Sequence, residues 1–328
     1  MLALQSKFIP KFKPSWDNCG INWVLVGVKV NQFHQHRQCR EKIRQDIEVL
    51  RLISALGIVW YHSGARGANI GYSGLIFFVI LSVFLVSHKK ISIQKRARRL
   101  LLPWLIWFVF YGVLNKITDE PFVNLKNGFL PGILAGSLIH LWYLPFIFIV
   151  LVTIDVIKNI FSSSTLAHTG AILAIILLIF SDQWREPTIA LGYPWEQYAH
   201  ATPAVLIGLF FRGFDQIGTK LRTFLLLLIL FASIHSTVFS SVGIPYTIGA
   251  IAFSSILLYP LPIPERFNII NMSKLSLGIY LIHPFLLMVA HKLSLHPGIL
   301  LSIIIFLASS LLIWILTKSL PNISKYAF

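Results

Sequence analysis

Three ionisable residues, Glu48, Arg51 and His62, lie in or beside one apolar stretch of the chain. Ionisable side chains inside an apolar segment are costly and usually mark a functional site. Arg51 and His62 are 11 residues apart, which on an α-helix is three turns plus about 20°. Both side chains therefore lie on one helical face. Because histidine exchanges protons near neutral pH and arginine holds anions, this face combines two groups that could do chemistry.

The face between these two residues leaves room for a long, thin ligand. A rise of about 1.5 Å per residue separates Arg51 from His62 by roughly 16 Å, about half the thickness of a hydrocarbon core. Ser54, Ala55 and Ile58 occupy the stripe between them. We expect Arg51 at the inner membrane boundary and His62 near the middle of the membrane. A snorkelling boundary arginine and a structural histidine are the alternative explanation.

A second group of cationic residues lies in the segment 88–100, where lysine and arginine are dense. Arg96 and Arg99 are three residues apart at the predicted start of a helix, so both guanidinium groups can point at one anion. Arginine binds phosphate bidentately, and cations at a helix start are unfavourable unless an anion is bound there. The segment predicts a site for a phosphorylated cofactor, with lipid headgroups as the alternative ligand.

Two histidine-containing strings lie in apolar surroundings further along the chain. His140 opens the string His-Leu-Trp-Tyr-Leu-Pro, which includes Trp142. The string Gly-Ile-Tyr-Leu-Ile-His-Pro includes Tyr280, His283 and Pro284, and the proline is expected to kink its helix. Either histidine could be structural, and Trp142 could be an aromatic anchor at the membrane interface.

These side chains must be positioned by helices that lie in a membrane. The chain is 56% hydrophobic and 12% charged, with a mean hydropathy of +0.74, and its charged share is about half that of a soluble domain. The alternation typical of a β-barrel is absent. The predicted fold is an all-α, polytopic transmembrane helical bundle of about ten spans, all near the length that a bilayer requires except 199–211, which is short and contains Pro203. The spans are placed at residues 49–65, 70–88, 100–117, 138–157, 165–181, 199–211, 221–239, 243–261, 273–291 and 298–317.

The distribution of positive charge predicts the orientation of the bundle. All but five of the 28 lysine and arginine residues fall in alternate segments between the spans, beginning with the N-terminal segment. Under the positive-inside rule these segments are cytoplasmic, and so are both termini. This topology and contact with anionic membrane lipids explain the net charge of +16, so no nucleic-acid partner is expected. The five exceptions are Arg66, Lys116, Lys126, Arg185 and Lys292.

The chain is predicted to have three parts. Residues 1–46 form a basic cytoplasmic N-terminal extension, which is either a membrane-surface or regulatory segment or a tail that adds no function. Residues 47–318 form one membrane domain. Residues 319–328 form a short cytoplasmic tail. The oligomeric state is not predicted by any of these features.

The N-terminal extension also contains the residue types that bind metals. Cys19 and Cys39 are expected to stay reduced in the cytoplasm, so no disulfide is predicted. His34, His36 and Cys39 match no standard zinc-binding spacing, and no metal is therefore expected.

Taken together, five short strings resemble the integral-membrane acyltransferase family 3, which includes O-acyltransferases of exopolysaccharide and O-antigen. The first string is an acidic residue, Leu-Arg, ten residues and a histidine, and here it comprises Glu48, Arg51 and His62. Glu48 stands where the family usually has aspartate. The second string contains Ser82 followed by Val83, where the family has glycine. The other strings are Arg96 to Arg99 before Leu101-Leu-Pro103, His140–Pro145 and Gly278–Pro284.

The resemblance covers nearly all of residues 47–318 and implies a multi-pass O-acyltransferase in the cytoplasmic (inner) membrane of a bacterium. The implied donor is a cytoplasmic acyl-CoA, usually acetyl-CoA. The implied acceptor is a sugar hydroxyl of a polysaccharide or lipid-linked glycan. A transporter or flippase for a glycolipid or small anion is the alternative function, and a catalytically silent membrane scaffold is the third.

The resemblance also implies roles for individual residues. His62 and Glu48 are the implied catalytic residues, with His62 as general base or, alternatively, as the carrier of an acyl-histidine intermediate. Arg51 would lie at the mouth of the acyl-CoA channel. The remaining residues implied to bind substrate or cofactor are Arg96 and Arg99, which would hold the CoA phosphates, and Ser82, His140, Trp142, Tyr280 and His283.

Overall fold

The computed structural model describes residues 45–86, 92–259, 261–263 and 269–328. The predictions for residues 1–44, which include Cys19, Cys39, His34 and His36, and for positions 87–91 of the basic segment lie outside the described residues. Every regular element within the described ranges is helical, which confirms the all-α class.

The described residues form fifteen α-helices and two 3-10 helices, the latter at Ile139–Trp142 and Phe214–Gln216. In chain order the α-helices are α1 (Gln45–His62), α2 (Ala68–Gly71), α3 (Ser73–Phe84), α4 (Ile93–Ile117), α5 (Phe129–Ala135), α6 (Tyr143–Ile157), α7 (Ser163–Ile179), α8 (Ser181–Ala190), α9 (Trp195–Arg212), α10 (Thr219–Phe239), α11 (Gly243–Leu258), α12 (Ile269–Ser273), α13 (Ser276–Lys292), α14 (Ile299–Ser319) and α15 (Pro321–Ala327).

Helices occur at all ten places where spans are predicted, but not all of them are long enough to cross a membrane alone. Among the described residues, four helical segments are long and apolar enough to cross a membrane: Ile93–Ile117, Ile139–Ile157, Thr219–Phe239 and Ile299–Ser319. The pair α7 and α8, bent by 79°, would be a fifth if it forms one broken span. The structure is thus that of a helical membrane protein, while ten spans and cytoplasmic termini remain predictions.

The centre of the bundle is built where α9 packs against α3 and α7. Val83 in α3 is fully buried, and α9 meets it with Gly208. A Cβ atom added at Gly208 would lie only 2.6 Å from the Cβ of Val83. A glycine in the partner helix therefore makes room for the valine that replaces the glycine of the family string.

Helix α1 is held against its neighbours by small and branched residues. Ala55 and Val59 are buried in one cluster with Ile279 of α13 and residues of α14. On another side, α1 approaches α2 closely, because a Cβ atom at Gly57 would lie 2.6 Å from the carbonyl oxygen of Gly71. These contacts fix the rotation of α1 and hence the direction of its polar face.

The predicted tail, residues 319–328, forms a helix that packs onto the bundle. Pro321 stands at the start of α15, where a proline is favourable because its missing N–H needs no partner. The indole Nε1 of Trp107 in α4 donates a hydrogen bond to the carbonyl oxygen of Ala327 at 3.1 Å. The ring of Phe328 lies 6.0 Å from that of Trp107. Apolar contacts with α4 therefore order this segment.

Candidate active site

Three histidines from separate elements meet inside the bundle. His62 ends α1, His140 lies in the first 3-10 helix, and His283 lies in α13. The ring centroid of His283 is 5.2 Å from that of His62 and 5.9 Å from that of His140. His140 and His283 are buried, whereas His62 is exposed. Among the described residues, no three histidine, cysteine or acidic side chains form a group that could hold a metal ion.

The hydrogen bonding of His283 defines which of its ring nitrogens is free. Its Nδ1 lies 3.1 Å from the carbonyl oxygen of Ile279. Since a carbonyl oxygen can only accept, Nδ1 carries the hydrogen and Nε2 keeps its lone pair. Nε2 has no hydrogen-bond partner among the residues that the structure describes. A buried acceptor without a partner, next to His62, is a group available to a ligand.

The exposed ring of His62 faces a cavity of about 110 Å³. This volume is far above the roughly 15 Å³ that one water molecule needs. Tyrosine and tryptophan supply five of the eleven lining side chains, beside apolar residues and a few polar groups, as is common in sites for small organic ligands. The lining residues are Ile58, Tyr61, His62, Tyr72, Leu75, Ile139, His140, Trp142, Tyr193, Gln197 and Tyr280.

The first turns of α1 carry the other end of the predicted polar stripe. Arg51 Nη1 forms an ion pair with Glu48 Oε2 at 2.9 Å, and Glu48 is buried. Arg51 also interacts electrostatically with Tyr143 at the start of α6. The Tyr143 hydroxyl lies 3.2 Å from Ser82 Oγ. Tyr143, a residue not singled out as a site residue from the sequence, therefore contacts Ser82 and lies within electrostatic range of Arg51.

Tyr280 connects this end of the stripe to the histidines. Its ring centroid lies 5.6 Å from that of Tyr143 and 5.6 Å from that of His140. Its hydroxyl donates a hydrogen bond to the backbone carbonyl of His140. The groups between Arg51 and His62 thus form a continuous row of polar and aromatic side chains, in which His283 contacts both Tyr280 and His62.

Tyr111 of α4 bonds to the backbone of α13, which carries His283, and its ring contacts His140 directly. Its fully buried hydroxyl donates to the carbonyl oxygen of Leu281 at 2.7 Å, and the backbone N–H of Phe285 bonds to the same hydroxyl. A side chain inserted into the backbone ladder in this way accompanies bends in helices, here beside Pro284. The ring of Tyr111 also lies 5.1 Å from His140.

Trp142 lies inside the bundle. Its side chain is buried and lines the cavity, with its ring 5.6 Å from Phe146 and 6.0 Å from Tyr198. An anchor at a membrane interface would present its ring to lipid headgroups. The buried position instead assigns Trp142 to the wall of the cavity.

Arg96 and Arg99 have different surroundings. Arg96 is buried, and its guanidinium binds Asp155 of α6 with Nε at 2.6 Å and Nη2 at 2.5 Å. Lys158 Nζ contacts the other carboxylate oxygen of Asp155 at 2.6 Å. Arg99 is exposed. The structure therefore gives Arg96 a protein carboxylate as its anion and leaves Arg99 accessible.

Several residues at the site were not identified from the sequence. Asp155 had a usable signal, since it is an acidic residue within the apolar block 138–157. His200 had the same kind of signal, because it lies within the predicted span 199–211. Tyr72 and Tyr193 carried none, because aromatic residues near membrane boundaries are common.

The described helices thus surround a cavity whose wall carries histidine and tyrosine side chains. The model of acyltransferase family 3, described as an acyltransferase domain, matches residues 44–318. The chain belongs to this family, which confirms the resemblance noted in its sequence strings. The protein is accordingly a membrane acyltransferase. Comparison with curated proteins finds no match, and neither does comparison with solved structures.

Proposed function

We propose that the protein is an O-acyltransferase that moves an acyl group, acetyl in the usual case, from cytoplasmic acyl-CoA to a sugar hydroxyl. The acceptor is a polysaccharide or a lipid-linked glycan, and the enzyme works in the cytoplasmic membrane of a bacterium. The observation that carries this proposal is the exposed His62 ring in a cavity, 5.2 Å from the buried His283 ring.

The proposed reaction uses His62 as a general base. One ring nitrogen of His62 takes the proton of the acceptor hydroxyl while that oxygen attacks the thioester carbonyl carbon. The new C–O bond forms, the C–S bond breaks, and the CoA thiolate takes the proton from His62, which returns to its neutral form. Proton transfer by a placed histidine contributes about 10²- to 10⁴-fold to such a rate.

Acyl-CoA enters this scheme from the opposite end of the polar row. Arg51 would lie at the mouth of the path, and the exposed Arg99 would contact the CoA phosphates. The pantetheine arm would then extend along the row of Ser82, Tyr143 and Tyr280 toward His62. The roughly 16 Å between Arg51 and His62 along α1 suits an extended arm of this kind.

The proposal is tested with His62→Ala. We expect O-acetyl groups on the surface polysaccharide of expressing cells to fall by a factor of about 10² or more, as the loss of a general base requires. O-acetyl content is measured by NMR of the purified polysaccharide. His291→Ala is the matched control, because His291 is an exposed histidine that does not line the cavity.

The two variants must be inserted in the membrane and bind acetyl-CoA as the wild-type protein does. Acetylation at the wild-type level in His62→Ala would contradict the role of His62. If the wild-type protein transfers no acetyl group and His62→Ala abolishes glycolipid export, the transporter function would be favoured instead. Mass spectrometry of the protein after acetyl-CoA is added without acceptor distinguishes general-base catalysis by His62 from an acyl-histidine intermediate. Only the covalent intermediate leaves an acetyl group on His62.

A further inference from the structure

Helix α8 turns away from α7 by 79° and is tied to the start of α9 by an ion pair. Arg185 Nη2 lies 2.8 Å from Glu196 Oε1, and Arg185 Nη1 lies 3.4 Å from the Glu196 carbonyl oxygen. Both side chains are largely buried. Glu196 is followed directly by Gln197, which lines the cavity at His62. The ion pair therefore lies beside the candidate active site.

The electrostatic environment of the cavity also places the pair there. Arg185 and Glu196 both interact electrostatically with Tyr61 and Tyr72, two tyrosines of the cavity wall. The rings form a continuous series, with Tyr61 5.1 Å from His62 and 4.5 Å from Tyr72.

Several buried polar atoms on α8 and α9 have no hydrogen-bond partner among the described residues. They are Arg185 Nε, Gln197 Oε1, the Tyr198 hydroxyl and both ring nitrogens of His200. His200 is only 5% exposed, and its ring lies 5.1 Å from that of Tyr72. Among these residues, Gln197 lines the cavity, and His200 contacts Tyr72 of the cavity wall. Buried donors and acceptors are normally satisfied, so unsatisfied ones beside a cavity indicate a ligand with several polar groups.

The chemistry of these groups matches a sugar ring. Aromatic faces can pack against the apolar faces of a pyranose, while amide, hydroxyl, imidazole and guanidinium groups can bond its hydroxyls. The positive charge of Arg185 is balanced by Glu196, so the group as a whole favours hydroxyls over a carboxylate or a phosphate.

We propose that α8 and the first turns of α9 form the acceptor subsite of the enzyme, which holds a neutral pyranose with one hydroxyl directed at His62. Arg185, Glu196 and Gln197 are the specificity-determining residues of this subsite. The inference rests on the proposed function, since it names the substrate class of the same site.

The subsite is tested with purified full-length protein in nanodiscs, radiolabelled acetyl-CoA and a panel of p-nitrophenyl hexopyranosides with the matching hexuronides. We expect Arg185→Gln to raise the KM for the hexopyranoside by about tenfold or more, the loss typical of one charge-assisted hydrogen bond. The KM for acetyl-CoA should stay within about twofold, because only acceptor binding is affected. Wild-type protein should prefer each hexopyranoside to its hexuronide.

Two further variants guard against a folding effect. Gln197→Met removes an amide oxygen that has no partner among the described residues, and it should raise the same KM. Arg222→Gln breaks the Arg222 to Asp215 ion pair of 3.3 Å at the other end of α9, and it should leave both KM values unchanged. An unchanged acceptor KM in Arg185→Gln and Gln197→Met would overturn the subsite, as would a preference for hexuronides.

A binding measurement distinguishes failure of the subsite from failure of the proposed function. Glycoside binding is monitored by tryptophan fluorescence. A wild-type protein that binds a hexopyranoside but transfers nothing, with binding lost in Arg185→Gln, would retain the subsite and overturn the acyl transfer. A wild-type protein that transfers acetyl groups with Arg185→Gln unaffected would overturn the subsite alone. Neither binding nor transfer would overturn both.

Discussion

At the scale of single residues, Arg96 and Arg99 lie in one helical turn but have different surroundings. Arg96 is buried in an ion pair with Asp155, whereas Arg99 is exposed. Removing one partner of a buried pair leaves an uncompensated charge and costs about 3 to 5 kcal/mol. We expect a value near the lower limit for Arg96→Ala, about 3 kcal/mol, because Lys158 remains 2.6 Å from the carboxylate.

The corresponding experiment compares Arg96→Ala with Arg99→Ala. Arg96→Ala should lower the thermal unfolding temperature in detergent, whereas Arg99→Ala should leave it unchanged and weaken acyl-CoA binding. Arg98→Ala, another exposed arginine of the same helix, is the control for a general loss of positive charge. Acyl-CoA binding that is equal in the Arg99 and Arg98 variants would remove Arg99 from the proposed phosphate site.

The sequence predicts the relation between Arg51 and His62 because helical periodicity alone determines it. The meeting of His62 with His140 and His283 depends on how α1, the first 3-10 helix and α13 pack, which no local pattern specifies. The partner of Arg96 was missed for the same reason, since Asp155 lies 59 residues away. Local spacing predicts which residues share a helical face, whereas tertiary packing determines which residues of other helices contact that face.

At the scale of helices, the contact between α3 and α9 depends on one small residue. Gly208→Ala would place a methyl group 2.6 Å from the Val83 Cβ and 3.0 Å from the Ile80 carbonyl oxygen. Overpacking of this kind costs about 1 to 3 kcal/mol. We expect Gly208→Ala to lower the thermal unfolding temperature, and Val83→Ala combined with Gly208→Ala to recover part of the loss.

The double variant is the informative measurement for this contact. Additive effects of Val83→Ala and Gly208→Ala would show that the two side chains do not compete for the same space. Ala substitution at Gly218, where an added Cβ atom meets nothing within 4 Å, is the control for a glycine outside the packed core.

The sequence predicts where helices lie far better than where each one bends. Apolar blocks identify a helix at each of the ten predicted places, because burial in protein or lipid requires apolar side chains there. Helix α8 was missed, since its ten residues, Ser181–Ala190, are mostly polar and lack an apolar face. The cavity wall that α8 supports was therefore missed with it.

At the scale of the whole molecule, charge asymmetry predicts an orientation that can be measured directly. Single cysteines are introduced by Lys126→Cys, Lys292→Cys, Asn159→Cys and Lys325→Cys, all at exposed positions, in a background with Cys19→Ser and Cys39→Ser. We expect an impermeant maleimide added to intact cells to label positions 126 and 292, which are predicted outside. Positions 159 and 325 should react only after the membrane is opened.

Labelling of positions 159 and 126 from the same side would contradict the single span that is predicted between them. The background variant without cysteines is the control for nonspecific reaction. Helix length alone does not determine how many times the chain crosses the membrane. Helices α11 and α13 have 16 and 17 residues, and they cross a bilayer only if their ends are extended or the bilayer is thinned. Orientation follows from loop charges, whereas the depth of each short helix depends on its neighbours.

Because of the turn of 79° between α7 and α8, substitutions in the two helices have different consequences over evolution. Helix α7 packs against α9 and α10 within the bundle, and substitutions there disturb the core. In α8, Ser181 bonds to Ser236 of α10 and Trp184 donates to the carbonyl oxygen of Leu177 in α7. Exposed positions of α8, such as Asp182, Gln183 and Glu186, can vary without altering that packing. Under the proposed subsite, relatives could acquire a preference for a new sugar through this short segment while inheriting the acyl-transfer centre unchanged.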